Sequence, residues 1–148
     1  MKKLLLTLSI IMMVFSVSAQ VIEKTFYFSN PSFEKYQGYE QIKFDNCVQR
    51  GEVGEPTLPW FAVSLLLPQN TEAQDVEIEY SDFIDVEGSH LLYPYQAPRP
   101  VSSTKEIPFA KNENVYSSKE IYTTEHKSNV NTQYLNGYSF AFSGFSPV

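Results

Sequence analysis

The sequence contains one cysteine and two histidines in 148 residues, and this scarcity excludes several classes of site. Because Cys47 is alone, no disulfide can form within the chain. His90 and His126 are 36 positions apart, so no cysteine and histidine cluster has the spacing of a zinc site. No glycine-rich phosphate loop is present, since Gly51 and Gly54 lie among acidic residues. The sequence therefore predicts no cofactor and no metal centre.

Two further sets of residues have the side-chain types of a calcium site and of a cysteine–histidine dyad. The carboxylates of Asp82, Asp85 and Glu87 lack the glycine-bearing loop of a dedicated calcium site, and a solvated strand edge is the preferred interpretation. A dyad of Cys47 with a histidine stays open as an alternative, because sequence does not give distances. Cys47 has no strained turn or helix start to activate it, however, and a small buried hydrophobe is the preferred role. No catalytic residue is assigned to this chain.

Long apolar runs are absent except at the N-terminus. There, Lys2 and Lys3 precede an apolar stretch over residues 4–17, and small residues follow it up to Ala19. This is the pattern of a secretory signal peptide, with cleavage expected between Ala19 and Gln20. The stretch is shorter than the roughly 20 apolar residues that span a bilayer. We expect the mature chain, residues 20–148, to be secreted, extracellular or at the cell surface, with no membrane segment after signal removal.

Basic residues are also scarce in the mature chain. Nine of them face 17 acidic residues, which gives a net charge of −8 after loss of the signal peptide. Nucleic-acid binding depends on basic patches that neutralise phosphates. We therefore expect no nucleic-acid partner.

Helical periodicity is absent outside the signal peptide, whereas strand patterns are frequent. The clearest lies over residues 75–80, where Val76, Ile78 and Tyr80 alternate with acidic side chains. Proline, glycine and asparagine separate the runs. Strands are predicted over residues 21–28, 39–44, 61–67, 75–80, 89–93, 121–124 and 138–142. The apolar run 61–67 is expected to be covered on both faces.

This spacing of short strands predicts an all-β single domain, a β-sandwich or a jelly roll. Residues 101–131 are polar and poorly patterned, and they are predicted to form one long, functional and protease-sensitive loop. Because the final strand pattern is followed almost at once by Val148, we expect the domain to be truncated at its C-terminal end.

Aromatic residues make up 15% of the chain and leave a second function open. Trp60, Tyr93 and Tyr95 can stack on sugar rings, although filling the space between sheets is the preferred role for large aromatics. The alternative function is therefore a secreted or surface β-sandwich that binds glycan or protein.

One motif carries a family resemblance. The sequence GEPTLP at residues 54–59 leads into the apolar strand that ends before Pro68, and it resembles the G-x-P-x-L-P block of the gingipain propeptide family. PYQAPRP at residues 94–100 resembles the proline-rich stretch after the family's central strands. LNGY at residues 135–138 resembles the start of its closing strands. The resemblance spans most of the mature chain.

The resemblance implies a β-sandwich prodomain that assists folding of a gingipain-like cysteine endopeptidase domain in the same precursor and blocks its cleft. The catalytic histidine and cysteine would belong to that downstream domain. An inhibitory segment across the cleft would pair as a strand and present one side chain to the specificity pocket. If the enzyme prefers basic residues, Lys127 is the first candidate, followed by Lys111 and Arg99. An ordinary solvated cation is the alternative for each.

Overall fold

The computed structural model describes residues 20–102, 104, 106–120, 122 and 127–147. The predicted signal peptide and most of the predicted strand 121–124 lie outside the described residues. The described elements are β1 (Ser32–Tyr36), β2 (Tyr39–Lys43), β3 (Cys47–Arg50), β4 (Leu58–Leu66), α1 (Glu113–Ser117), β5 (Asn131–Leu135) and β6 (Tyr138–Phe145). The all-β prediction is confirmed.

Two tight hairpins set the local register. β1 and β2 form a two-stranded antiparallel sheet, and the turn between them places Gln37 and Gly38 at φ values of +52° and +83°. β5 and β6 are joined in the same way through Asn136 and Gly137, at +50° and +82°. Two positive φ values in a two-residue loop match the right-handed twist of the flanking strands, and asparagine and glycine adopt them most easily.

The second sheet has the order β3-β4-β6-β5, and its three pairings are all antiparallel. Paired residues project to the same side of a sheet, so this register defines two faces. The pair Phe61 and Phe145 lies on one side, which we call the covered face. The other side is called the open face. It carries Val48, Trp60, Leu66, Leu135, Tyr138, Phe140 and Phe142.

The covered face holds the aromatic core. The rings of Phe26 and Phe28 lie 5.1 and 5.3 Å from that of Phe61, and the Phe28 ring is 5.9 Å from that of Phe145. Tyr80 adds a hydroxyl that donates to the Ser146 carbonyl at 2.9 Å. Such tilted and edge-to-face ring pairs are favourable beyond their burial. Phe26 and Phe28 of segment 21–28 and Tyr80 of segment 75–80 therefore cover this face with their rings.

Neither covering segment is a strand, and the prediction of strands there was wrong. The alternation itself was read correctly, because Val76 and Ile78 are more buried than Glu77 and Glu79. A period of two reports which side chains point inward, and it does not show that the backbone has a partner.

The open face contradicts the expectation that β4 is covered on both sides. Burial alternates along the strand, and within the described residues Leu66 and Val48 remain 60% and 61% exposed. The run contains Ala62 and Ser64 at outward positions, where short side chains make an alternating strand look uniformly apolar. The Arg50 guanidinium lies 4.4 Å from the Trp60 ring centroid and covers part of this face.

Three of the other strand predictions are confirmed, and four elements were not predicted. Strands over 39–44, 61–67 and 138–142 are confirmed as β2, β4 and β6, whereas β1, β3, β5 and α1 were not predicted. The predicted strand 89–93 contains one isolated bridge, between Leu92 and Glu40, and a second bridge pairs the following Pro94 with Pro56. This segment still joins the two sheets, because Tyr93 N donates to Glu40 O at 2.8 Å while its own carbonyl accepts from Thr57 N at 2.9 Å.

His90 fastens the same segment to the hairpin. Its Nδ1 lies 2.7 Å from a Glu40 carboxylate oxygen, its Nε2 lies 3.0 Å from the Glu87 carbonyl, and its ring stacks on Phe33 at 4.2 Å. Both ring nitrogens face acceptors, so the doubly protonated imidazolium satisfies both contacts. The hydrogen bond to Glu40, followed by that to the Glu87 carbonyl, raises the pKa of His90.

Replacing one aromatic residue on each face tests the assignment of the core. Phe145→Ala should lower the free energy of unfolding by about 3 kcal/mol or more, because the ring is 8% exposed and contacts four other rings. The control Phe142→Ala, three positions away on the open face, should cost about 1 kcal/mol or less. Urea denaturation monitored by circular dichroism measures both values. Equal losses would contradict the distinction between the faces.

The His90 contacts predict a pH dependence of stability. A folded-state pKa above the unfolded value gives a stabilisation that is fully present below about pH 6.5 and is lost as pH rises through the folded pKa. The thermal midpoint difference between the unaltered chain and His90→Phe, which keeps a ring on Phe33, should therefore shrink from pH 5.5 to pH 8.5, two values chosen roughly a unit or more on either side of the histidine range. A difference that stays constant or grows with pH would refute this role.

Candidate functional site

The predicted polar loop 101–131 is not uniform, because its middle is held firmly on the sandwich. The described part of residues 110–122 is called the docked segment from here on. It contains α1 and contacts both the GEPTLP motif and segment 92–96. α1 was missed because a single helical turn is too short to show a period of 3.6 residues.

The turn that opens the motif supplies the first attachment. Gly54 has φ = +88°; its N–H donates to the Tyr95 carbonyl, and its carbonyl accepts from the Asn112 N–H, both at 2.8 Å. A Cβ on Gly54 would lie 3.2 Å from the Asn112 nitrogen. Glycine is therefore required here for the positive φ and for the close approach of the docked segment.

The Glu55 side chain supplies the second attachment. One carboxylate oxygen accepts from the Tyr122 hydroxyl at 3.0 Å, and the other accepts from the Asn112 side-chain amide at 3.4 Å. The Glu55 carbonyl also accepts from the Tyr95 N–H at 2.8 Å. Burial, followed by the hydrogen bond to Glu55, raises the pKa of Tyr122, so the phenol stays protonated and donates.

Further contacts come from the proline-rich segment. The Gln96 side-chain amide donates to the Ala110 carbonyl at 2.7 Å, and its oxygen accepts from the Ala110 N–H at 2.8 Å. The Tyr116 hydroxyl donates to the Leu92 carbonyl at 2.8 Å. Gln96 thereby closes the chain between residues 96 and 110 into a loop whose described residues 98–102, 104 and 106–109 are exposed.

Sequence reasoning did not identify Glu55, Gln96 or Asn112 as functional. The motif did point to residues 54–59, but only as a turn leading into a strand. No local signal marks Gln96 or Asn112, because their partners lie 14 and 57 positions away in the chain.

The three predicted contact residues occupy different surroundings. Arg99 lies exposed in the loop closed by Gln96. The Lys111 ammonium donates to both carboxylate oxygens of Glu113, at 2.8 and 3.0 Å, and lies 5.1 Å from the Tyr116 ring centroid. That hydrogen bond raises the pKa of Lys111.

Lys127 follows the docked segment and lies beside β6. It forms an isolated bridge with Phe145, and its Nζ donates to the Val76 carbonyl at 2.8 Å. Lys111 thus belongs to the docked segment, Lys127 follows it, and Arg99 precedes it in the loop closed by Gln96.

The remaining candidates for chemistry have other roles. Cys47 is half-buried, and burial followed by the charge of Asp45 raises the pKa of its thiol, which is the reverse of activation. His90 is bound to Glu40, and His126 lies outside the described residues. Among the residues that the structure describes, no group of three histidine, cysteine or acidic side chains could hold a metal ion.

Two of the three aromatic candidates for sugar binding, Tyr93 and Tyr95, pack against other parts of the domain, whereas Trp60 lies on the open face beneath Arg50. The Tyr93 ring packs against those of Tyr36, Tyr39 and Phe109 at 5.1 to 6.0 Å. Tyr95 packs beside Gly51, where an added Cβ would lie 3.1 Å from the tyrosine Cβ. Their packing matches the preferred interpretation of large aromatics as filling residues.

The described chain contains no helix of the length and apolarity needed to cross a membrane.

Comparisons with known proteins agree with the motif. The family model Propeptide_C25 matches residues 12–148. No curated protein matches the chain. One solved structure with this fold, reported for the zymogenic latency of gingipain K from Porphyromonas gingivalis, has a TM-score of 0.57 and 21% sequence identity, and the match covers 80% of this chain and 68% of that chain. The resemblance inferred from GEPTLP is thus confirmed, and the chain belongs to the Propeptide_C25 family as the N-terminal propeptide region of a gingipain-like precursor.

Proposed function

We propose that this propeptide inhibits the cysteine peptidase domain of its own precursor and assists its folding, and that it acts outside the cell or at its surface. The family membership supports this function most directly, since the match spans residues 12–148. The N-terminal sequence, with its basic start and apolar run, supports export. Catalytic chemistry belongs to the partner domain.

A peptide segment whose conformation is fixed before binding is well suited to inhibit a peptidase. A segment that adds as a strand in a peptidase cleft gains main-chain hydrogen bonds, and one side chain supplies specificity. Binding is tighter when the segment is ordered before it meets the cleft, because less conformational entropy is lost on association. The docked segment is held in place by Gly54, Glu55 and Gln96, so it would meet the cleft already ordered.

The basic side chain presented to the pocket is proposed to be Lys127, Lys111 or Arg99. Arg99 is exposed in the loop whose ends Gln96 closes. Lys111 must exchange Glu113 for a partner in the pocket, and Lys127 must exchange the Val76 carbonyl. Each exchange replaces one hydrogen bond by another, so all three remain chemically feasible.

Single substitutions identify the inserted residue. Replacing it with alanine should raise the inhibition constant of the exported chain, assayed against the peptidase domain of its precursor, roughly 30-fold or more. The other two substitutions should change it by about threefold or less, since exposed charges at an interface rim contribute little. Lys35→Ala, at an exposed lysine of β1 and outside the docked segment, is the matched control.

The result also bears on the inhibitory function as a whole. If the unaltered chain neither slows the peptidase nor binds it, inhibition by this propeptide is refuted. If it inhibits but none of the three substitutions exceeds the control, the proposed set of pocket residues is wrong.

A further inference from the structure

We propose that Glu55 is a positioning residue, whose carboxylate holds Asn112 and Tyr122 and thereby fixes the docked segment, which carries Lys111, in the arrangement that meets the peptidase. This inference rests on the inhibitory function proposed above. It assigns to the acidic residue of the GEPTLP motif a task in the complex with the peptidase, separate from the turn and strand that the rest of the motif builds.

The geometry of this clasp, formed by Glu55 with Asn112 and Tyr122, comes from its two partners. Asn112 precedes α1 and Tyr122 follows it, so the two donors bracket the helix. A carboxylate has two oxygens, and each one here accepts from a different end of the segment. One ionised side chain therefore closes residues 112–122 onto the turn before β4.

The two ends do not depend on Glu55 equally. Asn112 is also held by its backbone, because its N–H donates to the Gly54 carbonyl at 2.8 Å. Tyr122 reaches Glu55 through its side-chain hydroxyl, at the far end of a residue that is itself half-buried. Loss of the carboxylate should therefore release the Tyr122 end first.

The two contacts of the Glu55 carboxylate differ in length. The Tyr122 hydroxyl lies 3.0 Å from one oxygen, whereas the Asn112 amide lies 3.4 Å from the other, so the contact to Tyr122 is the closer one. Glutamine at position 55 would keep the size but leave one acceptor oxygen, so it could serve one of the two donors and not both.

The test compares Glu55→Gln and Tyr122→Phe with Glu106→Gln, which makes the same charge change at an exposed position that precedes the docked segment. Inhibition of the peptidase domain by the exported chain and amide hydrogen exchange over residues 113–122 are measured for each. We expect both clasp variants to raise the inhibition constant about tenfold to a hundredfold and to speed exchange in this segment. The control should match the unaltered chain.

A double-mutant cycle separates positioning from general stabilisation. The variant carrying both Glu55→Gln and Tyr122→Phe should have an inhibition constant no higher than that of the less inhibitory single variant. The reason is that both substitutions remove the same contact, between Glu55 and Tyr122. Their thermal midpoints should stay close to that of the unaltered chain. Fully additive losses, or faster exchange with an unchanged inhibition constant, would overturn the positioning role.

Failure of the inhibitory function can be told apart from failure of the clasp. If the unaltered chain does not inhibit, the proposed function fails and the positioning role falls with it. If the unaltered chain inhibits and both clasp variants behave like the control, only the clasp is refuted. Should Glu55→Gln fold poorly, Tyr122→Phe carries the same test, because it removes the donor and leaves the turn intact.

Discussion

The fold depends on the pairing of backbone polar groups around the turn at Gly54 and Glu55. A buried N–H or carbonyl without a partner is costly, and this turn satisfies its groups on two sides at once, with Tyr95 and with Asn112. The positive φ of Gly54 makes that arrangement sterically allowed. A continuous set of hydrogen bonds consequently runs from the β1–β2 hairpin, through segment 91–95 and the motif, to the docked segment. The part of the molecule proposed to meet the peptidase is built on the same bonds that join its two sheets.

The core lies on one side of the four-stranded sheet. Phe26 and Phe28 cover Phe61 and Phe145, whereas the opposite side leaves Val48 and Leu66 mostly exposed. Stability on the covered face comes from aromatic contacts between segments distant in the chain. The docked segment lies at the start of β4, so its attachment is carried by a strand with a packed face. The proposed inhibitory contacts thus project from an ordered framework, which is the physical condition for low entropy loss on binding.

The sequence predicted the fold class, the family and three of the strands, because alternation and turn residues are local signals. It failed where local pattern and backbone pairing diverge: segment 75–80 alternates well and has no strand partner. β5 was missed although Asn136 and Gly137 are a strong hairpin signal. The attachment of the docked segment could not be predicted, since Glu55 meets Tyr122 across 67 positions and nothing nearby marks either residue. Contacts of that separation follow from the tertiary fold, and a single sequence does not show them.

We propose that a basic residue, Lys127, Lys111 or Arg99, occupies the specificity pocket of the peptidase. The most direct measurement is a structure of residues 20–148 bound to the peptidase domain of the precursor. In that complex one of the three side chains should enter the pocket while Glu55 still holds Tyr122 and Asn112. A complex in which the cleft is empty and the two domains meet only through the open face would contradict it.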